Sequence, residues 1–77
     1  MPESIKVWLS VIAENVERWP DKGTCSPTEA AFTVLRRAPR AIRTQLAQAL
    51  PLLPTDDFVE AAALIRRASR KVPPRQL

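Results

Sequence analysis

The sequence predicts an all-α protein, folded as one compact bundle of four short helices. Apolar residues recur at intervals of three and four along four segments, a spacing that places them on one face of a helix. The eight prolines lie between these segments or at their starts, where a proline ends one helix or begins the next. No segment shows the apolar and polar alternation that is typical of a strand. We therefore expect a single helical domain over residues 1–72 and a frayed tail at 73–77.

Helix 1 is predicted from Ser4, a candidate N-cap, to Trp19, because a proline follows. One face carries the residues expected in the core, namely Ile5, Trp8, Leu9, Ile12, Val16 and Trp19. Val7 and Val11 project from the other side of the helix and widen its apolar arc. Two interpretations stay open for them. They are isolated exposed valines, or they form with the edge of Trp8 a face that binds a second copy or a partner.

Helix 2 has the clearest start signal in the sequence. Ser26 and Glu29 have the spacing of a capping box, and Pro27 stands at the first helical position. The helix is expected to end or bend near Ala38, because Pro39 disfavours helical geometry in the residue before it.

Helix 3 is predicted from Pro39 to about Leu50, with a narrow apolar stripe of Ile42, Leu46, Ala49 and Leu50. An extended connector follows, and Thr55 is the predicted cap of helix 4, with Asp56 and Asp57 in its first turn. Helix 4 is expected to bury Phe58, Ala61, Ala62, Ile65, Ala68 and Val72.

Composition argues against an enzyme. The chain has no histidine, one cysteine and one glycine. It therefore lacks an imidazole for proton transfer and a glycine-rich phosphate loop, and we expect no catalytic site, no metal and no cofactor. The acids Asp56, Asp57 and Glu60 form the only tight acidic cluster, and capping and dipole roles explain them without a cation.

Charge divides the chain into two halves. Residues 1–35 carry three basic and five acidic residues, whereas residues 36–77 carry nine basic and three acidic residues. This asymmetry favours a partner of negative charge, which is nucleic acid, an acidic protein surface or an anionic membrane; charge alone does not choose among them. The single cysteine, the lack of a basic start and the lack of a long apolar run favour a cytoplasmic protein without a membrane partner.

The outer face of helix 3 has the side-chain types that read DNA bases. It offers Arg40, Arg43, Thr44, Ala47 and Gln48, with Arg36 and Arg37 just before the helix. Arginine recognises guanine, glutamine recognises adenine, and alanine or threonine contacts the thymine methyl group. Helices 2 and 3 thus resemble the helix-turn-helix of bacterial DNA-binding proteins, whose second helix enters the major groove. Ala30 and Ala31 are candidates for the small alanine expected in its first helix, whereas the turn lacks the usual glycine.

Both basic surfaces also have a simpler interpretation. Arginine and glutamine on helix 3 are common on an ordinary solvated face, because both favour helix formation. Helix 4 ends in Arg66, Arg67, Arg70 and Lys71, which are candidate phosphate contacts and are also the charges that a helix C-terminus prefers.

The sequence therefore favours a small, non-catalytic regulatory protein, expected from its size to be bacterial, that is a homodimer and binds DNA through helices 3 and 4. The alternative is a protein-binding adaptor or inhibitor, similar to an antiactivator, that docks through helix 1 and its basic half. No small-molecule substrate is expected under either hypothesis.

Overall fold

The computed structural model describes residues 4–72, which form four α-helices and no strand. The helices are α1 over Ile5–Glu17, α2 over Pro27–Leu35, α3 over Arg40–Ala49 and α4 over Phe58–Lys71. This architecture confirms the all-α bundle that the sequence predicts. Residues 73–77, the expected tail, lie outside the described residues.

The central element of the bundle is α1, which packs most extensively against α4 and also contacts α2 and α3. Five of its residues are buried: Ile5, Leu9, Ile12, Ala13 and Val16. Trp8 and Trp19, which the sequence assigns to the core, are instead half-buried and pack against it. Ala13 is fully buried in the same core as Ala61 and Ala62 of α4, and such small side chains let two helices approach closely.

A buried serine joins α1 to α4, and the sequence pattern did not identify it. The hydroxyl of Ser69 donates to the backbone oxygen of Lys6 at 3.2 Å and lies 3.3 Å from the hydroxyl of Ser10. Ser69 is 4% exposed, whereas Ala68 and Val72, both expected in the core, are only half-buried. Its position shows that the start of α1 lies against the end of α4.

The capping box of α2 is confirmed. The Glu29 amide donates to the Ser26 hydroxyl at 3.2 Å, and the Ser26 amide donates to the Glu29 carboxylate at 3.0 Å. The helix ends at Leu35, earlier than the predicted end near Ala38. A turn follows, in which the Ala38 amide donates to the Leu35 carbonyl at 3.0 Å.

The predicted start of α4 is wrong by a few residues. Asp57, and not Thr55, is the N-cap, because its carboxylate accepts from the amides of Val59 at 2.9 Å and Glu60 at 3.3 Å. The Thr55 hydroxyl accepts from the Asp57 amide at 3.1 Å, so it stabilises the turn before the helix. Asp56 therefore lies in that turn and not in the first turn of α4.

Candidate nucleic-acid interface

The third helix exposes nearly all of its circumference. Leu46 is its only buried residue, while Ile42 and Ala49 are half-buried against the core. The remaining residues of the helix are exposed, and they include the predicted base-reading set of Arg40, Arg43, Thr44, Ala47 and Gln48. A helix anchored by so narrow an apolar stripe can enter a groove without giving up its own contacts with the core.

The turn before α3 extends this basic face. Arg36 and Arg37 are exposed there, between the end of α2 and the start of α3. Residues 30–55 contain four arginines and no acidic residue. We use the term α3 surface for the six candidate DNA-binding residues that the turn and the helix bring together: Arg36, Arg37, Arg40, Arg43, Thr44 and Gln48.

The start of α3 adds to the positive potential of this surface. Pro39 is the N-cap residue, and no side chain caps the first amides of the helix. The positive end of the helix dipole therefore lies beside Arg40 without a carboxylate to offset it. Three of the helices begin with a side-chain cap, from Ser4, Ser26 and Asp57, and α3 alone does not within residues 4–72.

One residue of the α3 surface has a second role within the fold. The Arg43 guanidinium donates to the backbone oxygen of Ala38 at 3.2 Å, across the turn that joins α2 and α3. The helical spacing predicts that Arg43 lies on the outer face of α3, but it does not predict this hydrogen bond to Ala38. A guanidinium has five N–H donors, so this bond leaves most of them available to a partner.

The sequence predicts that all four basic residues of α4 are free to meet solvent or a partner, but one of them is paired within the fold. Arg66 forms an ion pair with Glu17 of α1, with 2.6 Å between the guanidinium nitrogen and the carboxylate oxygen. No acidic residue lies three or four positions before Arg66 on α4, and its partner is supplied by the packing of α1 on α4. Arg67, Arg70 and Lys71 are exposed and form no ion pair within residues 4–72. We use the term α4 surface for these three residues.

The α3 surface and the α4 surface belong to helices that scarcely touch each other. Both helices pack on α1. The candidate DNA-binding residues therefore form two groups of positive charge on one small bundle, and Arg66 is removed from the second group by its ion pair.

The predicted dimer or partner face of α1 is smaller than the sequence suggests. Val7 is 53% exposed, whereas Val11 is half-buried and packs against the core. Trp8 is also half-buried, and its indole nitrogen is buried without a hydrogen-bond partner within the described residues. Of the three residues, Val7 alone presents a largely exposed apolar side chain.

An open groove of about 310 Å³ lies between the end of α1 and the turn after α2. Its lining includes Arg37 of the α3 surface and Arg18, the C-cap residue of α1, which is not among the residues predicted from the sequence to bind a partner. No sequence signal links these two arginines, because the packing of α1 against α2 brings them to one groove.

Two further observations concern metals and membranes. Within residues 4–72, no three Cys, Asp or Glu side chains are grouped so that they could hold a metal ion. In the same part of the chain, every helix is too short or too polar to cross a membrane.

No protein-family model matches the chain, and neither a curated protein nor a solved structure shows significant similarity to it.

Proposed function

We propose that the protein is a non-catalytic regulatory protein that binds duplex DNA, with α3 in the major groove. The observation that carries the proposal is the α3 surface. Its arginine, threonine and glutamine side chains are exposed on a helix with one buried residue and on the turn before it, and residues 30–55 contain no acidic residue. The cytoplasmic location expected from the sequence is part of this proposal.

The dimensions of α3 suit the major groove. Its 10 residues give a length of roughly 15 Å at about 1.5 Å per residue. The major groove is about 12 Å wide and admits one helix. In this arrangement Arg43 and Gln48 read base edges, and Thr44 contacts a thymine methyl group or a base edge.

The other arginines supply affinity without sequence preference. Arg36 and Arg37 lie at the entry to α3, where they can contact phosphates on either side of the groove. The α4 surface adds Arg67, Arg70 and Lys71 as further phosphate contacts. Each phosphate contact releases bound counterions, so it steepens the dependence of affinity on salt concentration.

A salt titration tests this division of roles. Fluorescence anisotropy with a labelled pool of random duplexes measures affinity from about 50 to 200 mM salt. Arg70→Ala and Lys71→Ala are expected to weaken binding to all sequences and to make the slope of log K against log salt shallower by about one unit per lost contact. Lys22→Ala is the matched control, because Lys22 lies over the Phe58 ring at the opposite end of α4.

Base reading is tested on a preferred site selected from the same pool. Arg43→Ala and Gln48→Ala are expected to cost about 1–3 kcal/mol on that site and little on other duplexes. If the protein binds no duplex at about 50 mM salt but retains a protein partner that Val7→Glu releases, the adaptor hypothesis replaces this one.

A further inference from the structure

The groove between α1 and α2 contains three kinds of side chain that together suit one class of small molecule. Arg18 and Arg37 supply cationic donors, Glu14 and Asn15 supply acceptors, and Trp19 and Pro20 supply apolar surface; these six residues line the groove. Its volume of about 310 Å³ falls at the lower end of the range of roughly 300–1,000 Å³ that is typical of small-molecule sites.

The charged groups of the groove are not neutralised by the protein itself. Glu14, Arg18 and Arg37 are exposed, and none of them forms an ion pair within residues 4–72. Glu14 lies on α1 and Arg18, four positions later, is the C-cap residue of that helix. The second guanidinium, that of Arg37, comes from the turn after α2.

The amide nitrogen of Asn15 is engaged within α1. Its side-chain nitrogen donates to the backbone oxygen of Val11 at 2.8 Å, which leaves the amide oxygen available. The groove thus combines two positive donors with a carboxylate and an amide oxygen. Its net charge of one positive unit does not suit a multiply charged anion next to Glu14, whereas a zwitterion satisfies both kinds of group.

We propose that this groove binds a free α-amino acid with an aromatic side chain. The carboxylate of the amino acid pairs with Arg18 and Arg37, and its ammonium group donates to Glu14 and to the amide oxygen of Asn15. The aromatic ring packs against Trp19 and Pro20, where offset stacking on the indole adds to the area buried. This site is separate from the proposed DNA contacts except for Arg37, which belongs to both.

Nuclear magnetic resonance of the two indole groups gives a direct test, with L-phenylalanine as the probe and no DNA present. Uniformly ¹⁵N-labelled protein has two tryptophan side-chain resonances, and Trp8→Phe identifies which is which. The Trp19 resonance is expected to shift on titration and to saturate. The Trp8 resonance is the internal control, since its indole nitrogen is buried away from the groove lining.

Two analogues test the zwitterion. 3-Phenylpropanoate lacks the ammonium group and 2-phenylethylamine lacks the carboxylate, and each is expected to bind about tenfold or more weakly than phenylalanine because it loses charge-assisted hydrogen bonds. Arg37→Gln and Glu14→Gln are expected to cause similar losses. Arg36→Gln is the matched control, as Arg36 is an exposed neighbour that does not line the groove.

The proposal is wrong if the Trp19 resonance does not move at millimolar phenylalanine, if the three ligands bind equally, or if Arg36→Gln weakens binding as much as Arg37→Gln. The phenylalanine titration contains no DNA, so its outcome does not depend on whether the protein binds DNA. If phenylalanine does not bind, the anisotropy measurement of DNA binding is equally unaffected.

Discussion

Single residues in this protein are predictable where their contacts are local in sequence. Ser26 and Glu29 are three positions apart, and their reciprocal hydrogen bonds follow from that spacing alone. The partners of Arg66 and Ser69 are not predictable in this way, because Glu17 and Lys6 are more than forty positions distant and meet them only when α1 packs on α4.

The capping box gives a stability prediction at this scale. Ser26→Ala removes the hydroxyl that accepts from the Glu29 amide, and we expect it to lower the free energy of unfolding by about 0.5–2 kcal/mol. Urea denaturation followed by circular dichroism measures the change. Thr28→Ala is the control, since Thr28 is exposed in the same turn and its hydroxyl makes no hydrogen bond within residues 4–72. Equal losses in both variants would contradict the role of the cap.

At the scale of helices, the sequence predicts the number and order of elements better than their ends. The start of α4 shows why. Thr55 and Asp57 are both good N-cap residues, and the pattern does not decide between them. The structure uses both, with Asp57 on the helix amides and Thr55 on the Asp57 amide. The end of α2 is gradual, because the Arg36 amide still donates to the Phe32 carbonyl four residues back. The Arg37 and Ala38 amides then donate to carbonyls three residues back, as in a tighter 3₁₀-type turn.

The narrow anchor of α3 gives a prediction for that helix. Leu46 is fully buried and is the only buried residue of α3, so Leu46→Ala is expected to cost about 2–5 kcal/mol and to loosen α3 before the rest of the bundle. Hydrogen exchange is expected to rise in α3 more than in α1. Ala47→Ser, on the exposed side of the same helix, is the control and should change little. If Leu46→Ala raised hydrogen exchange equally in all four helices, α3 would not open separately from the rest of the bundle.

At the scale of the whole molecule, homodimer formation stays a prediction. Val7 is 53% exposed, so Val7→Glu leaves the monomer fold intact, whereas Val11→Glu would bury a charge against the core. Light scattering is expected to give a dimer mass for the wild type and a monomer mass for Val7→Glu. A wild-type protein that is monomeric at high micromolar concentration would rule out the dimer.

The central claim is that α3 is the DNA-contacting helix, and a titration of ¹⁵N-labelled protein with duplex DNA tests it most directly. At about 50 mM salt, the largest shifts of backbone amide resonances are expected at residues 36–48, with smaller shifts at the α4 surface. The amides around Val7 are expected to stay unchanged. Shifts that are absent throughout, or that are confined to the Val7 side of α1, would contradict the account.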